Sequence, residues 1–216
     1  MIHDDEVPTR AATRNRKRQA ERKGPKPPRK ATPEYLERAA LYYLERYASS
    51  AENLRRILLR KVERSARAHD TGREEEGREE GAKAVDSLVE RMIRAGLLND
   101  RAYAEARVVT LHRAGQGVQA IRARLLAKGV DDDTIAAALE RLHEEAAEPE
   151  LAAALRYARR RRLGPYRMHG RADNRQRDLA ALARKGFSLD LARRVVDVEE
   201  LAELEAEADI QPGPLG

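Results

Sequence analysis

The chain has 216 residues, a formal net charge of +6 and no cysteine. Its charged fraction of 37% exceeds the roughly 25% of an average soluble domain, whereas aromatic residues make up only 4%. These numbers exclude disulfides and thiolate metal sites, and they favour thin helical layers of Leu, Ala, Val and Ile. No segment is apolar enough to cross a membrane, and no apolar region follows the basic N-terminus as in a secretory signal. We therefore expect a soluble, cytoplasmic protein.

The N-terminal segment, residues 1–33, is basic and rich in proline. Residues 1–30 carry ten Lys or Arg against four Asp or Glu, and they contain few apolar side chains. Such a composition cannot bury enough apolar surface to offset the entropy of ordering, so it predicts a disordered arm. An arm of this kind either contacts a polyanion nonspecifically or keeps the protein soluble.

The first predicted repeat spans residues 34–98 and contains three helices. No proline occurs between Glu34 and Glu148, as expected for a series of uninterrupted helices. Apolar residues recur at helical spacing in three stripes, the last of which ends at Gly96, a C-terminal cap. Residues 65–82 interrupt this pattern with three glycines and a run of acids, which predicts a surface loop with frayed helical ends.

The three-helix pattern then restarts twice, over residues 99–147 and 148–198. Its clearest sign is the pair of segments 128–131 (KGVD) and 185–188 (KGFS), each with a helix end, a glycine cap, an apolar contact and a cap for the next helix. Residues 199–216 form an acidic tail. The sequence therefore predicts an all-α protein, with three tandem three-helix repeats in an elongated, curved body between a disordered arm and this tail.

Catalytic and metal-binding patterns are missing from the sequence. The five histidines are scattered, and no two are spaced as paired ligands on a helix. The three acids at 131–133 fit the capping of a helix better than the binding of a cation. We find neither a glycine-rich phosphate loop nor a nucleophile with a nearby base. We therefore expect no catalytic residues, metal or cofactor, and no enzymatic activity.

Cationic side chains are the remaining candidates for function. Residues 156–194 alone hold thirteen Lys or Arg against three Asp. The second helix of each predicted repeat also carries outward-facing bases, which suit phosphate or carboxylate partners. The alternative to partner binding is that these cations only solvate a helix face and form ion pairs with Glu one turn away. The candidate partner-binding residues are Arg55, Arg56, Arg60, Lys61, Arg122, Arg124, Lys128, Arg159, Arg160, Arg162, Arg184 and Lys185.

Several segments resemble a known bacterial family, the RecX proteins. Residues 97–104 (LLNDRAYA) are similar to its L-x-D-D-x-x-[FY]-A segment, and 115–130 (GQGVQAIRARLLAKGV) to its G-x-x-x-I-x-x-x-L-x-x-K-G-[IV] segment. Residues 182–188 (LARKGFS) resemble its L-x-R-[KR]-G-[FY]-[SD] ending, and 40–55 fits its start. The four segments occur in the family's order and spacing. They cover a region from about residue 34 to 196.

The resemblance implies both a fold and a function. It implies three tandem three-helix repeats that bind in the helical groove of the RecA filament on single-stranded DNA. It also implies modulation, most simply inhibition, of ATP hydrolysis, strand exchange and co-protease activity, without catalytic residues. We expect a monomer that contacts RecA and, through phosphates, single-stranded DNA. Asn99 departs from the family pattern, which has an acid there, although Asn also caps helices.

Two other functions remain open from the sequence. Tandem three-helix units can mimic helix-turn-helix proteins, so the chain could be a DNA-binding regulator. The exposed positions of the second helices are mostly Arg, Lys, Glu and Ala, however, which favours contacts to phosphate or protein over reading of base edges. A helical adaptor that binds no nucleic acid is the third hypothesis. A steep salt dependence of DNA binding would distinguish the DNA-binding regulator from the adaptor.

Overall fold

The computed structural model describes residues 28–69, 73–144 and 148–210, which form ten α-helices, one short 3₁₀ turn and no β-strand. The predicted all-α class is confirmed. The helices form three consecutive groups, and each group encloses its own cluster of buried apolar side chains. The boundaries predicted near residues 98 and 147 remain a prediction. None of the described helices is both long enough and apolar enough to cross a membrane.

The first group packs three helices around one core. Its helices are α1 (Pro33–Leu44), α2 (Ala51–His69) and α3 (Glu74–Arg94). α1 begins at a proline, and the preceding Thr32 accepts a hydrogen bond from the backbone N–H of Tyr35 at 3.3 Å. Leu36, Leu54 and Val85, one from each helix, are fully buried. Their shared burial holds the three helices together.

The end of the predicted disordered arm belongs to this first group. The backbone N–H of Ala31 donates a hydrogen bond to Ser65 Oγ at 2.9 Å. The carbonyl oxygen of Pro28 lies 2.7 Å from Nε2 of His69, at the end of α2. The prediction of disorder was therefore wrong for residues 28–33, because these polar contacts and the proline at the helix start fix the chain. The rest of the predicted arm lies outside the described residues.

The predicted surface loop at residues 65–82 is largely helical, so this prediction was wrong. α2 continues to the start of this segment, and α3 includes its second half. Arg78 on α3 bonds Glu63 on α2 at 2.7 Å, so charges of the segment link the two helices. Gly81 lets them approach closely, because a Cβ at this position would lie 2.3 Å from Val62 Cγ1. A glycine that permits packing looks like a helix breaker in a single sequence.

The second group repeats the arrangement. Its helices are α4 (Asp100–Arg113), α5 (Val118–Ala127) and α6 (Asp132–Glu144). Val108, Ile121 and Ile135 are fully buried at its centre. Asn99 Oδ1 accepts a hydrogen bond from the N–H of Ala102 at 3.0 Å, and an oxygen of the acidic triplet 131–133 likewise bonds the first turn of α6. The predicted capping roles of Asn99 and of this triplet are confirmed.

The third group contains α7 (Pro149–Arg161), a 3₁₀ turn (Gly164–Tyr166), α8 (Arg171–Arg184), α9 (Leu189–Val196) and α10 (Leu201–Glu207). Helix α10 corrects the prediction of a separate acidic tail over 199–216. Leu204 of this helix is buried in the core of the third group, and Glu205 accepts a hydrogen bond from the Tyr166 hydroxyl at 2.6 Å. The amphipathic α10 buries apolar surface despite its acids. Residues 211–216 lie outside the described part of the chain.

Candidate partner-binding surface

The second helices of the three groups meet end to end. At the first junction, between groups one and two, the Ser50 hydroxyl before α2 donates a hydrogen bond to the carbonyl of Lys128 after α5. At the second junction, the N–H of Gly117 before α5 donates to the carbonyl of Lys185 after α8 at 2.9 Å. The C-terminal end of each second helix thus abuts the N-terminal end of the preceding one. We call α2, α5 and α8 the second-helix row.

The repeated Lys-Gly segments make these junctions. Gly129 and Gly186 have φ angles of +77° and +89°, which end α5 and α8 in left-handed turns. A Cβ at Gly186 would lie 2.3 Å from the backbone nitrogen of Ala120, and a Cβ at Gly129 would lie 2.3 Å from Cγ of Glu52. The glycines are therefore required both by the turn and by the contact between groups. Sequence reasoning identified the turn but missed the contact, although the repetition of the segment was the available signal.

Two carboxylates complete the junctions from the first helix of the following group. Asp100 Oδ1 accepts a hydrogen bond from the N–H of Ala51 at 2.8 Å, and Glu150 Oε1 accepts one from the N–H of Val118 at 3.0 Å. Burial raises the pKa of both Asp100 and Glu150, and the backbone N–H groups oppose this shift only in part. Each acid caps the start of a second helix in the neighbouring group. The sequence offers no local signal for such a long-range cap.

The candidate cations on α2 differ in their surroundings. Arg55 forms an ion pair with Asp86 of α3 at 2.6 Å, which binds the helices of the first group together. Arg56 bonds Glu52 and the carbonyl of Ala127, both at 2.8 Å, and so reaches across the first junction. The two other candidates on this helix, Arg60 and Lys61, form no ion pair with a described residue. Lys61 Nζ lies 5.7 Å from the centre of the Tyr35 ring.

The candidates on α5 are similarly divided. Arg122 forms an ion pair with Asp132, and Lys128 Nζ donates a hydrogen bond to Asn53 Oδ1 across the first junction at 3.1 Å. Arg124 is exposed and has no ion pair or hydrogen bond with the described residues. Contact between groups therefore satisfies part of the predicted basic face, and Arg124 stays open to solvent.

The candidates of the third group gather near Tyr157 on α7. Lys185 Nζ lies 5.3 Å and Arg160 Cζ 5.8 Å from the centre of this ring, close enough for cation–π attraction. Arg184, beside Lys185 on α8, is exposed and unpaired among the described residues. The remaining candidates are Arg159, which is half-buried and has polar contacts, and Arg162, which is exposed at the end of α7.

A cleft opens where these third-group cations face α5. It has a volume of about 230 Å³ and is lined by Gln116, Ala120, Arg124, Tyr157, Ala181, Arg184 and Lys185. We call it the junction cleft. Within the described structure it is lined by three cations and no carboxylate. It joins three of the twelve predicted residues in one place, whereas the other nine are distributed along the molecule.

One basic residue outside the prediction has a structural role. Arg167 bonds both oxygens of Asp178, at 2.7 and 2.6 Å, and the N–H of Gly164 donates to the same carboxylate at 2.8 Å. Asp178 is fully buried, and burial alone would raise its pKa. The hydrogen bonds outweigh burial and leave the pKa of Asp178 below its usual value. Part of the basic excess at 156–194 thus stabilises the third group.

Three comparisons with known proteins agree with this architecture. Residues 99–139, which lie in the second group, match the family model described as RecX, second three-helix domain. The chain is 45% identical over 177 residues to the regulatory protein RecX of Myxococcus xanthus, covering 81% of this chain and 91% of that protein. It is 33% identical over 162 residues to the regulatory protein RecX of Thermobifida fusca, covering 73% and 82% of the two chains.

Solved structures show the same fold. The crystal structure of RecX from Lactobacillus salivarius superposes with a TM-score of 0.56 at 21% sequence identity, covering 81% of this chain and 97% of that one. A second RecX crystal structure gives a TM-score of 0.55 at 22% identity, covering 77% and 72%. The sequence relationship to the Myxococcus protein extends over nearly all of that relative. On these grounds the chain belongs to the RecX family of regulatory proteins.

Proposed function

We propose that this protein regulates the RecA filament on single-stranded DNA and that its main effect is inhibition. The observation that carries the proposal is the second-helix row, in which cationic side chains recur at two equivalent junctions. Membership of a family of regulatory proteins supports a non-enzymatic role. The proposal includes a monomer that acts in the cytoplasm, where RecA works on chromosomal DNA, and it requires neither metal nor cofactor.

The geometry suggests how binding would affect the filament. A protein with three similar groups in a row can contact successive protomers of a polymer, and each contact raises the effective concentration of the next. Arg and Lys along the row supply charge for acidic protein surfaces and for phosphates of the bound DNA. Inhibition of ATP hydrolysis, strand exchange and co-protease activity follows if the row binds an inactive filament geometry more tightly than the active one.

ATP hydrolysis by the cognate RecA on single-stranded DNA tests this proposal. We expect marked inhibition when this protein is present well below one copy per RecA protomer, because one bound copy acts on several protomers. An equally basic unrelated protein at the same concentration is the control. Equal inhibition by that control would reduce the effect to charge and contradict the proposal.

The DNA-binding regulator remains a second candidate, favoured by Arg60, Arg124 and Arg184, which form no ion pair within the described part of the chain. This function predicts salt-sensitive binding to DNA in the absence of RecA together with no effect on RecA hydrolysis. A protein with neither activity would be the helical adaptor. The hydrolysis assay and a DNA titration on the same preparation distinguish the three functions.

A further inference from the structure

The two junctions of the second-helix row are built alike but differ in charge. Ala120 at the second junction occupies the position that Asn53 occupies at the first. Each of them directly precedes a fully buried residue of its helix, Ile121 and Leu54 respectively. By the same register, Arg124 replaces Ile57. A comparison of the two junctions therefore shows which charges the contact itself requires.

At the first junction the cations have acceptors. Lys128 donates to Asn53 Oδ1 at 3.1 Å, and Arg56 bonds Glu52 at 2.8 Å. At the second junction the equivalent lysine, Lys185, lines the junction cleft together with Ala120, which has no polar side-chain atom. The cations of the first junction thus have side-chain acceptors, whereas Lys185 has no such acceptor among the described residues.

The second junction also carries additional cations. Arg124 and Arg184 line the junction cleft with Lys185, and neither arginine has an ion pair or hydrogen bond among the described residues. Arg160 approaches the same Tyr157 ring as Lys185. Like charges repel one another, so clustering them without a carboxylate is unfavourable unless an anion is bound between them.

A buried amide provides the independent observation. Gln116 lines the junction cleft, is only 7% exposed, and its Oε1 is buried without a hydrogen-bond donor in the described structure. A buried polar atom without a partner is unfavourable and rare in folded proteins. A guanidinium held by an anion on one edge keeps further N–H donors on the other, and these can satisfy Gln116 Oε1.

We propose that the junction cleft binds a phosphate group of a nucleic-acid backbone through Arg124, Arg184 and Lys185, with Gln116 positioning the arginines. A phosphodiester carries the required negative charge, and planar guanidinium groups match its oxygens in bidentate geometry. The cleft is open to solvent, so its cations are accessible from outside the protein. This inference rests on the proposed function only in its choice of nucleic acid and concerns binding to single-stranded DNA without RecA.

Fluorescence anisotropy of a labelled single-stranded oligonucleotide, titrated at several salt concentrations, tests the inference. The variant Arg124→Gln/Arg184→Gln is expected to bind about tenfold more weakly, because hydrogen bonds between charged groups are lost. The logarithmic salt slope should also fall in magnitude by about 0.7, the value for one phosphate contact on a single strand. The charge-matched control Arg38→Gln/Arg94→Gln changes exposed arginines of the first group and should bind like the unaltered protein.

Two further variants separate binding from folding. Ala120→Asn supplies Lys185 with the acceptor that Lys128 has at the first junction, and it should weaken DNA binding while the melting temperature is maintained. Gln116→Leu removes the buried amide and should weaken binding without lowering stability. Binding that is unchanged in the folded double arginine variant would overturn the proposal, as would an equal loss in the charge-matched control.

Two further measurements are made in parallel. The first tests whether the site binds free phosphate or a nucleic acid, and the second distinguishes a failure of the phosphate site from a failure of the proposed function. Calorimetric titration with inorganic phosphate should show no comparable binding, and tight binding that disappears in the double arginine variant would overturn the assignment to nucleic acid. RecA hydrolysis is measured with the same variants. If the unaltered protein inhibits RecA but does not bind free single-stranded DNA, the phosphate site is wrong and the proposed function stands. The opposite result supports the site and contradicts the function.

Discussion

Glu150, in the first turn of α7, caps the start of α5 by accepting a hydrogen bond from the backbone N–H of Val118 at 3.0 Å. The two residues belong to different helical groups, so this contact helps to fix the position of one group on the next. Asp100 and Ala51 form the equivalent contact at the other junction, at 2.8 Å. The groups are therefore joined by backbone polar groups of helix ends as well as by apolar packing.

The first prediction concerns the Glu150 cap. Glu150→Ala should lower the free energy of unfolding by about 1 kcal/mol, the usual cost of losing a helix cap, whereas Glu150→Gln keeps an acceptor. Because burial raises the pKa of Glu150, its ionised form is less stable in the folded than in the unfolded chain. Glu150→Gln should therefore gain stability relative to the unaltered protein at neutral pH. That gain should fade as the pH decreases through the folded pKa towards about 4.3, the unfolded value.

Urea denaturation at several pH values measures this difference. A gain for Glu150→Gln that increases as the pH falls would contradict the sign of the shift. Glu144→Gln is the control, because Glu144 is exposed at the end of α6, where burial does not act on its carboxylate.

The second prediction concerns the glycine of the second junction. Gly186→Ala should cost more stability than Gly96→Ala, although both glycines have positive φ angles, +89° and +73°. A Cβ at Gly96 meets nothing within 4 Å, so this substitution carries only the backbone cost of about 1–2 kcal/mol. At Gly186 the clash with Ala120 adds roughly 1–3 kcal/mol typical of overpacking. If chemical denaturation gives equal losses of unfolding free energy for the two variants, the junction accommodates the added methyl group without a cost, which contradicts the prediction.

The third prediction concerns the buried ion pair of the third group. Arg167→Met should lower the free energy of unfolding by about 3 kcal/mol or more, because it leaves the fully buried Asp178 carboxylate without its cation. Arg167→Met/Asp178→Asn should lose less than the sum of the single variants. Additive losses in such a double-mutant cycle would mean that the two side chains do not interact.

The same pair has a pH dependence of the opposite sign to that of Glu150. Hydrogen bonds from Arg167 and Gly164 lower the pKa of Asp178 in spite of its burial. Its contribution to stability is therefore complete above about pH 3.9, the unfolded value, and is lost as the pH falls through the lower folded pKa. Acid unfolding followed by circular dichroism should show this loss in the unaltered protein, and the double variant should lack it.

The fourth prediction concerns His112, a buried residue whose Nε2 lies 2.8 Å from the carbonyl oxygen of Pro149. Burial lowers the pKa of His112, although the Pro149 carbonyl favours protonation. The unfolded chain thus binds the proton more readily, and stability should fall as the pH decreases below about 6.5. His112→Gln keeps an N–H donor and should remove this part of the pH profile. A profile identical in both proteins would contradict the assignment.

The fifth prediction tests the partner-binding surface. Reversal of charge at Arg122, Arg124 and Lys128 should weaken binding to the partner filament without unfolding the protein, since Arg124 and Lys128 are exposed and Arg122 is only half-buried. The matched control reverses three exposed cations on α1 and α3, namely Arg38, Lys83 and Arg94. Co-sedimentation with RecA on single-stranded DNA provides the measurement. Unchanged binding of the folded triple variant would remove this part of α5 from the proposed surface.

Local signals made much of the fold predictable. The caps at Asn99 and Ser188 lie beside the turns that they stabilise, and the apolar stripes follow from helical periodicity. The loop predicted at 65–82 failed because Gly81 serves contact with another helix, which a single sequence does not reveal. The same limit applies to the surface. Arg55 and Arg124 look alike in the sequence, but only the packing of α3 gives Arg55 a carboxylate and leaves Arg124 open.

The second-helix row has a polarity, because each of its helices carries a dipole. Peptide dipoles within a helix align, leaving partial positive charge at its N-terminal end and partial negative charge at its C-terminal end. Because the C-terminal end of α8 meets the start of α5, and the C-terminal end of α5 meets the start of α2, opposite partial charges meet at both junctions. The start of α8 and the end of α2 meet no other second helix. The negative pole of the row lies at the end of α2, at His69, and the next helix, α3, begins with an acidic turn. The positive pole lies at the start of α8, at Arg171. A directional polymer would accordingly distinguish the two orientations of this protein along its axis.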